Sequence, residues 1–330
     1  DAPQPTERGP MSERLRVAIA SYPNVAPEFR DDDTLLAQLR SRGVDAAVSP
    51  WDDAGFPWND MDLIVARSVW DYAMRYDEFM SWLDGLRVPV ENDPDLIRWN
   101  SDKRYLDDLL EEGLPVVPTR FVPPGTADRV ATDFDHEVVI KPTISAGGRR
   151  TGCFGPESID AARDLLAEIS QAGLTAMVQP YLPNVERSGE TAVVMIDGEV
   201  SHVLRKGAIL AADEVAPVRS SDYLGVAERM YDPELVLAGE ATSEELDLAE
   251  RILGEVRRRF DVTPLYARVD MLRGDGGEPL LLELEAVEPN LYFPQAPEAP
   301  VLLADAIVHR ARKASTRRSS ASRRTWESRP

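Results

Sequence analysis

Residues 265–286 read LYARVDMLRGDGGEPLLLELEA, and this stretch carries both a fold signal and a chemical one. LYARVDML (265–272) and LLLELEA (280–286) are strand-like, and the intervening RGDGGEP makes an antiparallel hairpin natural. Arg268 and Asp270 are two positions apart, as are Glu283 and Glu285, so each pair faces one side of its strand. Leu282 and Leu284 face the other way, toward a core. A simple register sets Asp270 near Glu283, and three carboxylates then converge with one guanidinium on a single sheet face. Unpaired, such a cluster repels itself and raises its carboxylate pKa values. A hard divalent cation relieves it, taking carboxylate oxygens while leaving positions for substrate phosphates. The other reading is a solvated sheet face, but the opposed aliphatics and unbroken alternation of acids favour a metal site at Asp270, Glu283 and Glu285.

Two upstream stretches point to an anion and a base. In VVIKPTISAGGRRTG (138–152), a buried-type strand delivers Lys141 at its end and Ser145-Ala-Gly147-Gly148 follows. Glycines let backbone amides approach an anion closely, and lysine supplies a point charge for phosphate. Arg149 and Arg150 add charge to the same loop. In MVQPYLPNVERSGE (177–190), an apolar strand exits through a Pro-flanked segment whose backbone groups could bond a flat base. Glu186 and Glu190 follow at spacings that could reach a ribose or a metal. Taken alone, the first is an ordinary glycine turn and the second an ordinary strand exit.

Outward from these stretches, the first part of the chain alternates strand and helix: strands at 15–21, 44–51, 63–70 and 88–91, and helices at 33–42 and 76–86. That alternation predicts a small parallel α/β domain over 14–92. Residues 93–182 read as an α+β lobe, with a helix over 102–112 and another over 158–170. Residues 183–310 read as a second α+β lobe that holds the metal site. It opens on a hairpin turning at Gly198 and contains a helix over Ser243–Phe260 and a closing helix from Ala299. The polar lead 1–13 and the Ser/Arg-rich tail 311–330 are expected to be disordered. The 207–242 stretch, long and weakly periodic, is the candidate lid.

Composition removes several classes of function. Apolar residues make up 43% and charged residues 29%, a globular mix that excludes wholesale disorder. With 58 acids against 37 bases the net charge is −21, which repels a phosphate backbone and argues against nucleic-acid binding. The tail is basic, so the rest of the chain is more acidic still. A single cysteine, Cys153, excludes a disulfide framework or a multi-cysteine metal cage. No run suits a membrane span or a secretory signal, so a cytoplasmic protein is expected. There is no G-x-x-x-x-G-K-[ST], no dinucleotide fingerprint, no H-E-x-x-H and no G-x-S-x-G. With three histidines, triad and His-rich zinc catalysis are both disfavoured.

The order of these motifs resembles the ATP-grasp superfamily over residues 15–310. Lys103 opens a helix, Lys141 precedes the glycine loop, Gln179–Leu182 is hinge-like, Glu186 follows, and Arg268-x-Asp270 precedes Glu283-x-Glu285. RSVWDY (67–72), NSDKRYLDDL (100–109), GETAVVMIDGEVSH (189–202) and ELEAVEPNLYF (283–293) resemble a bacterial subgroup related to prokaryotic glutathione synthetase. That subgroup includes the O-ureido-serine cyclo-ligase of cycloserine biosynthesis, an antibiotic pathway.

The resemblance implies an N-terminal parallel α/β domain plus two α+β lobes enclosing ATP. Lys103 and Lys141 would contact the phosphates, with Ser145, Gly147 and Gly148 in a loop closing over the terminal one. Gln179 and the Tyr181–Leu182 backbone would hold the adenine, and Glu186 the ribose. Asp270, Glu283 and Glu285 would ligate Mg²⁺, or Mn²⁺ in its place, while Arg268, Lys141 and Lys206 serve the reaction. Two positions depart from the family pattern: Glu285 stands where Asn is usual, and Gln179 where an acid is usual. Arg67, Trp70 and Asp71 end a strand of the first domain, where ligands of open α/β sheets commonly sit. With Asn290 they are the substrate candidates, although a structural salt bridge is the alternative for Arg67 and for Lys206.

The implied reaction is ATP-dependent carboxylate–amine ligation through an acylphosphate, yielding an amide or cyclic amide. A bimolecular amino-acid or dipeptide ligase, a small-molecule kinase and a non-catalytic ATP-binding scaffold are the alternatives. The partners are a small-molecule carboxylate and a nitrogen nucleophile, with no nucleic acid and no membrane; a homo-oligomer stays open.

Overall fold

A computed structural model describes residues 14–23, 31–126, 135–207 and 235–327. Near the N-terminus, β1 (Arg16–Ser21), β2 (Asp45–Pro50), β3 (Leu63–Ala66) and β4 (Val90–Glu91) form a wholly parallel sheet in the order β2-β1-β3-β4. Beyond Arg16, β1 is buried, as is the whole of β3, which suits a sheet covered on both faces. Helices α1 (Asp31–Ser41) and α2 (Tyr76–Gly85) accompany it. Three acids, Asp31, Asp32 and Asp33, occupy the first turn of α1, where the helix dipole favours negative charge. The third strand is shorter than expected. After Ala66 the chain leaves the sheet for a 3₁₀ turn at Tyr72–Met74, so Arg67 to Asp71 lie just beyond a strand end.

Next come α3 (Pro94–Asn100) and α4 (Tyr105–Glu111), which divide a region where one helix over 102–112 was expected. The Asp93 carboxylate caps α3 by accepting from the Asp95 amide, with Pro94 at its first position. Strands β5 (Arg120–Val122), β6 (Val138–Pro142), β7 (Gly152–Phe154) and β8 (Ala176–Pro180) make an antiparallel sheet ordered β5-β8-β6-β7. Helix α5 (Ile159–Gln171) buries Ala162, Leu165, Leu166 and Ile169 against it. The short α6 (Asn184–Ser188) leads into β9 (Glu190–Ile196) and β10 (Glu199–Lys206), then β11 (Val236–Ala238), α7 (Ser243–Phe260), β12 (Tyr266–Arg273) and β13 (Pro279–Glu285). These strands form the third sheet, antiparallel, in the order β11-β10-β9-β12-β13. Thr242 and Glu245 start α7 with a reciprocal capping box.

The third sheet separates two cores. On one side Val193, Met195, Val269, Met271, Leu281 and Leu284 pack against α7 and α4. On the other, Ala192, Val194 and Ile196 pack with the N-terminal sheet and with α8 (Ala299–Glu327) through Leu303, Ile307 and Ala311. The outer edge of β13 is tied by other parts of the chain. The Tyr105 hydroxyl bonds both the Leu284 amide (2.7 Å) and carbonyl (2.9 Å). Asn100 bonds the Leu284 carbonyl (2.7 Å) and the Ala286 amide (2.7 Å). The Pro115 carbonyl and Val117 amide bond Leu281 at 2.8 and 2.9 Å. Asn92, wholly buried, donates to the Tyr266 and Ala286 carbonyls at 2.8 Å each and accepts from the Leu265 amide at 2.6 Å.

Two expectations change here. Helix α8 runs on to Glu327, so the basic tail expected to be disordered from 311 is helical over most of its length. Alanine and arginine are strong helix formers, and the first turns of α8 are already docked, so propagation needs no new nucleus. Leu282 does not join Leu284 in the core. It is the extra residue of a bulge opposite Asp270–Met271, and Leu281 takes the core position instead. The polar lead 1–13 and residues 208–234 of the candidate lid lie outside the described residues.

One buried ion pair gives a pH prediction. Glu91 meets Arg310 at 2.7 Å, yet burial outweighs that attraction and pushes its carboxyl from 4.5 up to about 7. A raised folded pKa means that the group stabilises the fold fully below the unfolded value and loses this contribution as pH rises through the folded one. Glu91→Gln stays neutral throughout. Urea unfolding should therefore show the wild type losing about 1–2 kcal/mol relative to this variant between about pH 5 and about pH 8. Parallel pH profiles for the two proteins would refute this.

Candidate active site

Strands β12 and β13 pair as the hairpin expectation requires: Asp270 opposite Glu283 and Arg268 opposite Glu285. Arg268 and Asp270 pair also with β9, and so share a face with Val194 and Ala192. At the end of that face, Glu190 on β9 stands opposite Lys206 on β10. Sheet register alone thus gathers four acids and two cations from four strands.

The charges interleave. Asp270 accepts from Arg268 Nε at 2.9 Å, Arg268 Nη2 at 2.8 Å and Lys206 Nζ at 2.9 Å. Burial alone would raise its pKa, but Arg268 and Lys206 hold it well below the usual carboxylate range. Lys206 also pairs with Glu190; burial would lower its pKa, and Asp270 and Glu190 outweigh that and raise it. Glu190 itself is pushed by burial up to about 7, against the pull of Lys206. Glu283 lies between two lysines, Lys103 Nζ at 3.0 Å and Lys141 Nζ at 3.4 Å, and they overcome its burial to lower its pKa. Glu285 pairs with Arg268 but is raised, because burial and the charges of Asp270 and Glu283 exceed that attraction. Among the described residues, no three acidic, histidine or cysteine side chains share one metal-binding point. Each carboxylate of the expected metal set is turned onto a cation instead.

The other expected residues fall into three groups. Lys103 Nζ reaches past Glu283 to the Ser145 carbonyl at 2.9 Å and so ties the glycine loop to the carboxylates. Ile144 and Ala146 seat that loop against the aromatic core of the N-terminal domain. Gly147 and Gly148 have φ of 65° and 69°, a left-handed backbone that L side chains rarely adopt. At the strand exit, Gln179 is buried and donates to Thr119 Oγ1 at 2.9 Å. The Tyr181 amide bonds the Glu137 carbonyl at 2.8 Å, and Leu182 follows it. Glu186 is exposed on α6, where its carboxylate takes the Tyr181 hydroxyl at 3.1 Å. From this segment, Glu190 is the acid that reaches the charged face.

The substrate candidates brace the chain that follows β13. Arg67, buried, donates to the Pro289 carbonyl at 3.1 Å, pairs with Asp32 at 3.5 Å and lies 5.0 Å from the Tyr266 ring centre. Trp70 Nε1 donates to the Glu288 carbonyl at 2.8 Å, and Arg268 Nη1 to the Asn290 carbonyl at 2.9 Å. Asn290 Oδ1 takes the Tyr292 amide at 2.8 Å. Asp71 turns into the aromatic core and accepts from Trp51 Nε1 at 2.7 Å. The braced segment carries Glu288, which the sequence reading left unassigned. Burial, then the charge of Glu285, raises its carboxyl well above the usual range. A third glutamate after the E-x-E pattern is the signal that was there to be read.

Three sheets of this order, with lysines meeting the carboxylates of the third beside a glycine loop, are the arrangement expected of an ATP-grasp ligase. Residues 17–92 match the family described as the N-terminal domain of D-cycloserine synthetase DcsG. The cycloserine biosynthesis protein DcsG of Streptomyces lavendulae is 30% identical over 290 residues, spanning 85% of this chain and 93% of that protein. The chain belongs to the D-cycloserine synthetase family of ATP-grasp ligases. A crystal structure of D-cycloserine synthetase DcsG superposes with a TM-score of 0.80 at 28% identity, covering 90% of this chain and 99% of that one. D-alanine–D-alanine ligase from Bacillus anthracis, solved with ATP, shares the fold at 14% identity and a TM-score of 0.61, over 92% of this chain and 99% of that one. Among the described residues, no helix is long and apolar enough to cross a membrane.

Proposed function

We propose that the enzyme activates the carboxylate of a small amino acid with ATP and closes it onto a nitrogen of the same molecule, as an O-ureido-serine-type cyclo-ligase. The observation that carries this reading is the meeting of Asp270, Glu283 and Glu285 on one sheet face with Lys206 and Arg268 of the same sheet and with Lys103 and Lys141 reaching in from outside it. Four cations match a polyphosphate and a transferring phosphoryl group, and hard carboxylate oxygens match Mg²⁺. The donor chemistry therefore fits. When bound, Mg²⁺ would supply charge neutralisation at the phosphate oxygens, held by Asp270, Glu283 and Glu285.

In this reading Lys103 and Lys141 take phosphate oxygens of the nucleotide, and the Ser145–Gly148 backbone lies over them. Gln179 and the Tyr181–Leu182 backbone face the adenine. Glu186 remains the ribose residue expected from the resemblance, and Glu190 is the rival that the charged face favours. Arg268 and Lys206 steady the phosphoryl group while a substrate carboxylate oxygen bonds to the terminal phosphorus and the bridging oxygen leaves with ADP. The substrate nitrogen then bonds to the acyl carbon, losing a proton as phosphate departs. Water would hydrolyse the acylphosphate, so the covering loop must exclude it. On the substrate side, Arg67 and Trp70 act through the braced segment around Glu288 and Asn290, and Asp71 stands behind them, bonded to Trp51.

Incubation with Mg-ATP, O-ureido-serine and hydroxylamine tests this. The expected result is release of ADP with a hydroxamate trapped in place of the ring. A stable phosphoester instead would mean a kinase, and a linear dipeptide formed with a second amino acid would mean a bimolecular ligase.

A further inference from the structure

The chain that leaves β13 is held by side chains from several distant elements. The five consecutive carbonyls from Ala286 to Asn290 each lie within hydrogen-bonding distance, 2.8–3.1 Å, of a side-chain donor: Asn92, Tyr266, Trp70, Arg67 and Arg268 in turn. Pro289 adds a fixed φ within the run. Ala286 and Val287 are buried, and buried carbonyls need partners in any fold. Five partners on one irregular segment do more than that. They remove its backbone freedom, so its side chains are presented from a fixed support.

Glu288 stands in the middle of that run. Its side chain is part-buried, and among the described residues its carboxylate makes no hydrogen bond and no ion pair. The charges that act on it are those of Glu285, Lys103, Glu283 and Arg268, so it lies within electrostatic reach of the charged face. Both of those cations already touch other acids, Lys103 holding Glu283 and Arg268 holding Asp270 and Glu285. Glu190 and Asp270 likewise have Lys206. Of the described acids at this site, Glu288 alone has no cation in contact. A part-buried carboxylate without a partner is destabilising, so its position calls for a ligand that brings the missing charge.

We propose that Glu288 binds the ammonium group of the amino-acid substrate and so selects α-amino acids over other carboxylates. In an α-amino acid the ammonium and the carboxylate share one carbon. The acid that takes the ammonium must therefore stand beside the place where the carboxylate is activated, and Glu288 follows Glu285 by three residues. An ammonium offers three donors and one positive charge, and a carboxylate on a fixed segment accepts them without reorganising. The proposal rests on the cyclo-ligase reading of the site, in which Asp270, Glu283 and Glu285 already serve the divalent cation. A further metal ion, or the proton lost by the nucleophilic nitrogen, could also call for a carboxylate here, and the measurements separate the three.

Ring closure needs the carboxylate and the nucleophilic nitrogen but not the ammonium, so an analogue of O-ureido-serine with hydrogen in place of the ammonium remains chemically competent. Release of ADP is measured with both compounds for the wild type, Glu288→Gln and Glu288→Asp. Glu288→Gln should raise KM for O-ureido-serine by about 10- to 100-fold, with kcat, the KM for ATP and the KM for the analogue each changed by less than about threefold. Glu288→Asp should recover part of the loss. The thermal midpoint of Glu288→Gln should equal or exceed that of the wild type, because a carboxylate without a partner has been removed. A collapse of kcat at unchanged KM would overturn the proposal in favour of proton acceptance, and a raised Mg²⁺ requirement in favour of a metal. An equal rise in KM for both compounds, no rise for either, or a lowered midpoint would each overturn it as well. A wild type that releases ADP with neither compound would sink the cyclo-ligase reading itself, which the other outcomes leave standing.

Discussion

Replacing Glu283 by glutamine should lower kcat by about a thousandfold or more while the protein stays folded. Glu283 is the acid held by both lysines expected at the phosphates, Lys103 at 3.0 Å and Lys141 at 3.4 Å. The amide keeps the shape and one acceptor oxygen but removes the charge. Two consequences follow at the same point. In the proposed reading a divalent cation would lose one of its three carboxylates, and Lys103, raised above its ordinary pKa mainly by Glu283 against its burial, loses the partner that keeps it charged. Both weaken stabilisation of charge that develops during phosphoryl transfer. Steady-state turnover with saturating ATP, together with a thermal melt, checks this, and undiminished turnover would sink the metal assignment. A melt that collapses would show instead that Glu283 mainly serves the fold.

Asn92→Ala should cost about 3–5 kcal/mol of stability, since three buried backbone groups lose their partners together. The side chain lies where β4 ends and bonds Tyr266 and Ala286, at the open end of the β12–β13 hairpin. Asn92 is wholly buried, so bulk solvent does not reach the groups that it satisfies. Asn92→Asp is the sharper comparison. It keeps an acceptor for the Leu265 amide but sets a carboxylate against two carbonyls, so it should destabilise at least as much at neutral pH and less as the acid is protonated. Urea unfolding of both variants measures this, and a loss under about 1 kcal/mol for alanine would mean that the backbone has repaired itself.

Much of the chemistry was legible because strand register follows from short-range pattern. Alternating acids on two strands joined by a glycine turn leave few registers, and the pairing of Asp270 with Glu283 is the simplest. Helix α7 was legible for a similar reason, having a capping box at one end and an apolar stripe throughout. Partners supplied from afar were not legible. Nothing local tells that Asp71 accepts from Trp51, that Trp70 and Arg67 reach the carbonyls of Glu288 and Pro289, or that Glu190 sits closer to the charges than Glu186. Helix α3 escaped because seven residues give barely two turns of periodicity, and its Asn100 makes its bonds to β13 rather than within the helix. The bulge at Leu282 escaped because the leucines at 280–282 and 284 leave hydrophobicity unable to choose which ones face inward.

The ties along β13 also bear on how this protein meets its neighbours in a crowded solution. A terminal strand with open amides and carbonyls is a template on which another chain can add a strand. Here the template positions at Leu281, Leu284 and Ala286 are already taken by Pro115, Val117, Tyr105, Asn100 and Asn92. The opposite border of the sheet is β11, only three residues long. The strand that carries Glu283 and Glu285 is thereby insulated from intermolecular pairing, and the ties that aim its acids also protect the chain from aggregating through them.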